Sequence, residues 1–190
     1  MPFELVIPRS TEPILFKTKT YSDDRGYFFE SYKNSALTHL GLDDDFVQDN
    51  ISFSVKDVIR GMHYQLNPMA QSKLVTCIKG EILDVVVDVR KGSPNYGKCQ
   101  YNTISSDNSY VLYVPEGFAH GFIVKSESAL VLYKTNREWS PENESGFVWN
   151  DPELNINWGV ENPIVSEKDR ELLLFKDAVN NFSYKEPYSQ

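Results

Sequence analysis

His63 in VIRGMHYQ and His120 in VPEGFAHGF each set an imidazole inside an apolar, aromatic run, in a chain that has only three histidines. An unperturbed imidazole titrates near ~6.5, so either could take or return a proton at neutral pH. Arg60 precedes His63 by three residues and adds a guanidinium, a group that grips phosphate with paired N–H donors. Proton transfer beside a bound anion is the chemistry these residues offer. A plainer reading stands beside it, in which each histidine is a hydrogen-bonded core residue and the arginine a coincidence of order. His39 falls in a short helical pattern without polar partners. Cys77 and Cys99 are too few for a disulfide framework and lack metal-binding spacing, so they read as reduced thiols.

Strands must position these groups. ILDVVVDVR, residues 82–90, alternates, with Leu83, Val85, Val87 and Val89 on one face and Asp84, Val86, Asp88 and Arg90 on the other, the pattern of a half-buried strand. KLVTCI, YVLYV, HGFIV and ALVLYKT continue the theme between turn clusters such as KGSPNYG and SSDNS. Short strands at this spacing make a sandwich or barrel. Helix is expected in NSALTHLG, closed by Gly41, and through SEKDRELLLFKDAV, opened by Ser166 in a capping-box pattern. The stretch 149–163, rich in Pro and Asn, reads as an ordered loop across the sandwich. No repeat or linker divides the chain, and residues 1–190 are expected to form a single domain.

A balance of 19 basic against 27 acidic residues, −8 formally, opposes attraction to nucleic acid yet leaves room for a local basic pocket that takes a small anion. MPFELVIPRSTEP has neither the basic start nor the apolar core of a signal peptide. No apolar run is long enough to cross a bilayer, so a cytoplasmic location without a membrane partner is expected.

PEGFAH has the form P-x-G-x-x-H and resembles the second motif of cupins, jelly-roll proteins in which this histidine faces the barrel mouth. The resemblance implies a mainly β, cupin-type jelly-roll sandwich or barrel with short terminal helices. It also implies H-x-H and a downstream Glu as metal ligands, and here the chain departs. Gln65 stands two residues after His63, and AQSKLVTCIKG supplies no glutamate. Two imidazoles without a further ligand make a poor site for zinc, iron or manganese, so neither metal nor cofactor is expected.

The segments DDRGYFFE, FVQDN, RGMHYQ, SKLVTCIKGEILDVVVDVRKGSP, VPEGFAHGF, YKT, WNDPEL and SEKD, in this order, resemble the dTDP-4-dehydrorhamnose 3,5-epimerase family. The resemblance implies an isomerase of dTDP-L-rhamnose and polysaccharide biosynthesis that inverts C3 and C5 of a dTDP-4-keto-6-deoxy sugar. It further implies a metal-free homodimer with strands exchanged between subunits. Both carbons flank the C4 ketone, so loss of either proton gives an enolate with its charge on the C4 oxygen. Inversion needs a base on one face, a stabiliser for that oxygen and an acid on the other face.

Carried over position by position, the resemblance makes His63 the base and Asp169 of SEKD the carboxylate that fixes its tautomer. Lys73 of AQSKLV becomes the charge near the sugar ketone, and Tyr133 of LYKT the acid, a phenol that stays protonated at pH 7. Each has an ordinary alternative. Asp169 lies third after the helix-capping Ser166, and one carboxylate cannot easily serve both roles; Lys73 could be a solvated strand-start lysine; Tyr133, sharing a face with Val131 and Thr135, could be a core tyrosine. The resemblance assigns Arg25, Arg60 and Lys168 to the anion, and Glu30, Gln48, Asp49, Asn50, His120, Trp139 and Glu144 to further substrate contacts. Arg25 and Glu30 could equally form a surface ion pair.

Two departures bear on the substrate. Ile51 and Phe53 of QDNISFS stand where the family commonly carries polar residues beside the pocket, and Trp139 stands for the tyrosine that stacks on thymine. Rivals to double epimerisation of this sugar follow: inversion at one carbon only, action on a differently substituted 4-keto sugar, 4-keto to 3-keto isomerisation, and a cupin that binds nucleotide sugar without turnover.

Overall fold

Fourteen strands and two short α-helices form along residues 2–6 and 13–185, the part of the chain that the computed structural model describes. In chain order they are β1 (Phe3–Leu5), β2 (Ile14–Thr18), β3 (Thr20–Asp23), β4 (Gly26–Phe29), α1 (Asn34–His39), β5 (Gln48–Val55), β6 (Val58–Gln65) and β7 (Lys73–Lys79). There follow β8 (Glu81–Asp88), β9 (Cys99–Ser105), β10 (Tyr110–Val114), β11 (Phe118–Val124), β12 (Ser128–Thr135), β13 (Glu144–Gly146), β14 (Ile164–Val165) and α2 (Glu167–Arg170). The strands expected around KLVTCI, ILDVVVDVR, YVLYV, HGFIV and ALVLYKT are β7, β8, β10, β11 and β12. Two sheets result, one in the order β1-β2-β10-β7-β12-β5 and one in the order β13-β6-β11-β8-β9 with β14 beside β6; β3 and β4 make a separate hairpin. Among the described residues no helix is long and apolar enough to cross a membrane.

The mainly β, cupin-type architecture follows from three apolar layers. Val75, Cys77, Leu112 and Val131 of the first sheet meet Val86, Ile104, Phe122 and Val124 of the second in the space between them. α1 covers the outer face of the first sheet, packing Leu37 on Phe16, Leu74 and Val111. The outer face of the second sheet is covered by the chain after β13, through Phe147, Trp158, Phe175 and Phe182 over Ile59, Met62, Val85 and Val87. The loop 149–163 belongs to this cover and is pinned by Trp158 Nε1, which donates to the Trp149 carbonyl at 2.8 Å.

This cover changes two expectations. β8 is buried on both faces, not one: Val85 and Val87 lie under the C-terminal segment, while Asp84, fully buried, and Val86 face the space between the sheets. Alternation told the faces apart but not that both would be covered. The long helix expected through residues 166–179 is also absent. α2 ends at Arg170, because the Leu173 carbonyl accepts from Val148 N–H (2.9 Å) and Phe175 N–H donates to the Asp151 carboxylate (2.8 Å), tertiary bonds that replace helical ones.

β6 carries the irregularity that matters most for function. His63 pairs with His120 of β11, and Arg60 with Phe122, so two residues, Gly61 and Met62, oppose the single Gly121. In a regular strand, positions three apart face opposite sides; the bulge restores Arg60 and His63 to the same inner side. Gly61 has φ +130°, and a Cβ on it would lie 2.5 Å from the Gly121 Cα. Gly61→Ala is therefore expected to lower unfolding free energy by about 3 kcal/mol or more, from backbone strain plus a clash that two sheet backbones cannot relieve. Urea denaturation measures this; a loss below ~1 kcal/mol would show that the bulge relaxes.

Candidate active site

Polar side chains gather at one end of the space between the sheets. β5 turns Gln48 and Asn50 inward, β7 contributes Lys73 at its first residue, and β12 contributes Tyr133 and Thr135. From the facing sheet come Arg60 and His63 on β6 and His120 on β11, with Glu144 at the start of β13 and Lys168 and Asp169 on α2. They line a two-lobed cleft, about 590 Å³ on the Arg60, His120 and Asp169 side and about 260 Å³ on the Gln48 and Asn50 side. His63, Lys73, Tyr133, Trp139 and Glu144 border both lobes.

His63 Nε2 lies 2.7 Å from Asp169 Oδ1, the imidazole partly open to the cleft and the carboxylate almost closed off. Gly61 N–H donates to the second Asp169 oxygen at 3.4 Å. Burial raises the Asp169 carboxyl, but its bond to His63 and the attraction between them outweigh that, and the net shift is downward. The ionised carboxylate accepts from Nε2–H, and in the neutral imidazole the other ring nitrogen then carries the lone pair that a base needs. The expected conflict at Asp169 dissolves: its backbone N–H donates to Ser166 Oγ (3.1 Å), while its side chain serves His63.

Tyr133 stands on the sheet opposite His63, and burial pushes its phenol above the usual tyrosine range, with Glu144 adding to the shift and Arg60 opposing it. It remains protonated at neutral pH. Lys73 Nζ reaches the His63 carbonyl at 3.5 Å, and burial pulls its ammonium down to about 8, against the attraction of Asp84 and Glu144. Such a cation sits in a poorly solvated wall, where its field on a developing oxyanion is least screened.

The rim is built around Glu144. It accepts from Lys168 Nζ at 2.7 Å and from Trp139 Nε1 at 3.2 Å, and although burial raises its carboxyl, these bonds bring the net shift below the ordinary range. Trp139 N–H donates to Gln48 Oε1 at 2.9 Å, and the exposed indole lies across the cleft mouth. Arg60 Nε donates to Ser54 Oγ at 2.9 Å. Among the described residues no three His, Cys, Asp or Glu side chains converge as a metal-binding set.

Several expected site residues lie elsewhere. Arg25 is on the turn of the β3–β4 hairpin, paired with Asp23 at 2.5 Å and widely exposed, and Glu30 pairs with Lys33 at 3.2 Å, so the two form no ion pair with each other. Asp49 points outward from β5 and binds Lys134 at 2.7 Å, because strand alternation separates it from Gln48 and Asn50. Ile51 and Phe53 share that outer side and are exposed, so they do not border the cleft. Sequence reasoning missed Gln65 as a support. Its buried amide donates to the Met69 carbonyl (2.7 Å) and accepts from Ser140 N–H (2.7 Å), fixing the loop that carries Trp139. It also missed Asp84, which binds His120 and whose signal was an acid inside an apolar strand.

The family model described as dTDP-4-dehydrorhamnose 3,5-epimerase matches residues 10–177. A protein of that name from Pseudomonas aeruginosa is 48% identical over 176 residues, covering 92% of this chain and 95% of the relative. Among solved structures, a dTDP-4-dehydrorhamnose 3,5-epimerase from Bacillus anthracis, with TDP and PPi bound, superposes with a TM-score of 0.88 at 43% identity, covering 90% of this chain and 99% of the other. A dTDP-6-deoxy-D-glucose-3,5-epimerase from Legionella pneumophila, in complex with dTDP-4-keto-L-rhamnose, gives 0.87 at 38% identity, covering 92% and 94%.

Proposed function

The chain belongs to the dTDP-4-dehydrorhamnose 3,5-epimerase family, and from that premise we propose that it converts dTDP-4-dehydro-6-deoxy-D-glucose into dTDP-4-dehydro-L-rhamnose. The observation that carries the reading is the opposition of His63, held by Asp169 on one wall, to Tyr133 on the other. A sugar ring between them meets a base on one face and an acid on the other. His63 takes the proton from C3 or C5, the C–H pair forms a double bond to C4 as the carbonyl π pair moves onto the C4 oxygen, and the Lys73 ammonium stabilises the enolate. Tyr133 then gives its phenolic proton to the opposite face. His63 releases its proton to solvent and Tyr133 takes one back from solvent, and the cycle repeats at the second carbon.

Arg60 and Lys168 supply cations for the pyrophosphate, and Trp139 an aromatic face for thymine. Gln48, Asn50, His120 and Glu144 are assigned to the remaining polar contacts of the substrate. Arg25 and Glu30, remote from the cleft of their own chain, are assigned to the cleft of a second copy, as is Asp49 to the contact between copies. A homodimer with exchanged strands is supported by exposed Tyr21, Tyr27 and Phe28 on the hairpin and by exposed Val47, Ile51, Phe53 and Val55 at edge strand β5. Sedimentation velocity at micromolar concentration tests it; a monomer at every concentration refutes it. The reading treats residues 1–190 as one catalytic domain in the cytoplasm.

The deciding experiment is incubation with dTDP-4-dehydro-6-deoxy-D-glucose in deuterated water, followed by NMR. Deuterium at both C3 and C5 with inverted product supports the reading. Label at one carbon makes the chain a mono-epimerase, a carbonyl moved to C3 a ketoisomerase, and binding without label a non-catalytic cupin.

Lys73 gives the reaction an alkaline limit. Its charge stabilises the enolate, and that charge is lost as pH rises through about 8. The kcat/KM profile, which reports the free enzyme, is expected to fall above that value, while Tyr133, with its raised phenol, is still protonated. Lys73→Arg keeps the charge and is expected to remove this limb at some loss of rate; an unchanged limb assigns it to another group.

A further inference from the structure

We propose that Asp84 is a positioning residue for this reaction, acting from beneath the cleft to fix the tautomer and orientation of His120. The inference rests on the epimerase reading above and adds to it a second imidazole–carboxylate pair beside His63 and Asp169. Asp84 lies in the middle of β8, fully buried, and does not itself border the cleft. Its Oδ2 is 2.7 Å from His120 Nε2. His120 does border the cleft and is the direct cross-strand partner of His63, so the two imidazoles occupy adjacent positions on one face of the second sheet.

Stability alone does not account for this carboxylate. Asp84 Oδ1 is buried with no hydrogen-bond partner among the described residues, and so is the side-chain nitrogen of Asn102, the residue across from it on β9. A buried charge with half of its acceptor capacity unused costs several kcal/mol, and an apolar residue among Val86, Ile82 and Phe122 would pack there without that penalty. What Asp84 supplies instead is direction. A neutral imidazole has one N–H and one lone pair, and its partner decides which nitrogen carries which. With Nε2–H committed to Asp84, the other nitrogen becomes the free polar atom of a side chain that faces the sugar.

The test uses Asp84→Asn, which keeps the size and an accepting oxygen but removes the charge. Nitrogen-15 NMR of the chain's three histidines, without substrate, is expected to show His120 as the Nε2–H tautomer in the wild type and as a mixture in Asp84→Asn. Turnover by Asp84→Asn is expected to fall about 10- to 100-fold, as when the outer partner of a working imidazole is lost, with dTDP affinity and melting temperature close to wild type. In a His120→Ala background the same substitution should cost nothing further. An equal cost in that background overturns the proposal, as does wild-type turnover in Asp84→Asn or a loss of dTDP binding as large as the loss of rate. If Asp84→Asn does not fold, the wild-type spectrum still decides, because a His120 protonated on its other nitrogen contradicts the geometry. Failure of the epimerase reading itself shows earlier, as absent turnover by the wild type.

Discussion

Replacing His63 by alanine is expected to slow epimerisation ~10²- to 10⁴-fold, the range a well-placed base supplies, while dTDP still binds. Rate and binding separate because different side chains carry them. The nucleotide is assigned to Arg60, Lys168 and Trp139, none of which hydrogen-bonds to the imidazole, whereas the bond from Nε2 to Asp169 serves only to prepare the other ring nitrogen. Deuterium incorporation at C3 and C5 is the direct measure, with dTDP titration calorimetry as the control. Exchange that survives in His63→Ala removes this residue as the base. Exchange and binding lost together would place His63 in the nucleotide site instead.

Tyr133→Phe separates the two halves of the reaction. The ring stays in the wall and only the hydroxyl goes, so His63 and Lys73 can still form the enolate. A deuteron then returns from His63 to the face the proton left, and the recovered substrate is labelled but not inverted. Inverted product is expected to fall ~10²- to 10⁴-fold while exchange into the substrate persists. A normal rate of inversion refutes Tyr133 as the acid. Exchange lost in step with inversion would show that the hydroxyl acts already in enolate formation.

Much of the architecture was legible because it depends on local pattern. β8, β10 and β12 announce themselves by alternation and β-branched residues, and Gly80, with φ +83°, marks the turn between β7 and β8 as the Lys79-Gly80 pair suggested. The short α2 was not legible, since the Leu-rich run after it satisfies a helical pattern and is drawn out by Val148 and Asp151, distant in sequence. The grouping of His63, Asp169, Lys73 and Tyr133 came from resemblance; no periodicity brings residues 63 and 169 together. Asp49 and Asn50 illustrate the limit from the other side. They are neighbours in one motif, and a motif does not say which of two adjacent strand residues faces in.

The bulge in β6 makes the site a matter of parity. The cation assigned to the phosphates and the assigned base occupy one surface only because β6 counts two residues against one across the pair. Inserting a single residue into β11 beside Gly121 would pair Gly61 and Met62 one to one, remove no functional side chain and leave both sheets their strands. It would nonetheless turn one of the two groups into the apolar layer beneath the C-terminal cover. Such a chain could grip a nucleotide or abstract a proton, but not do both to the same molecule.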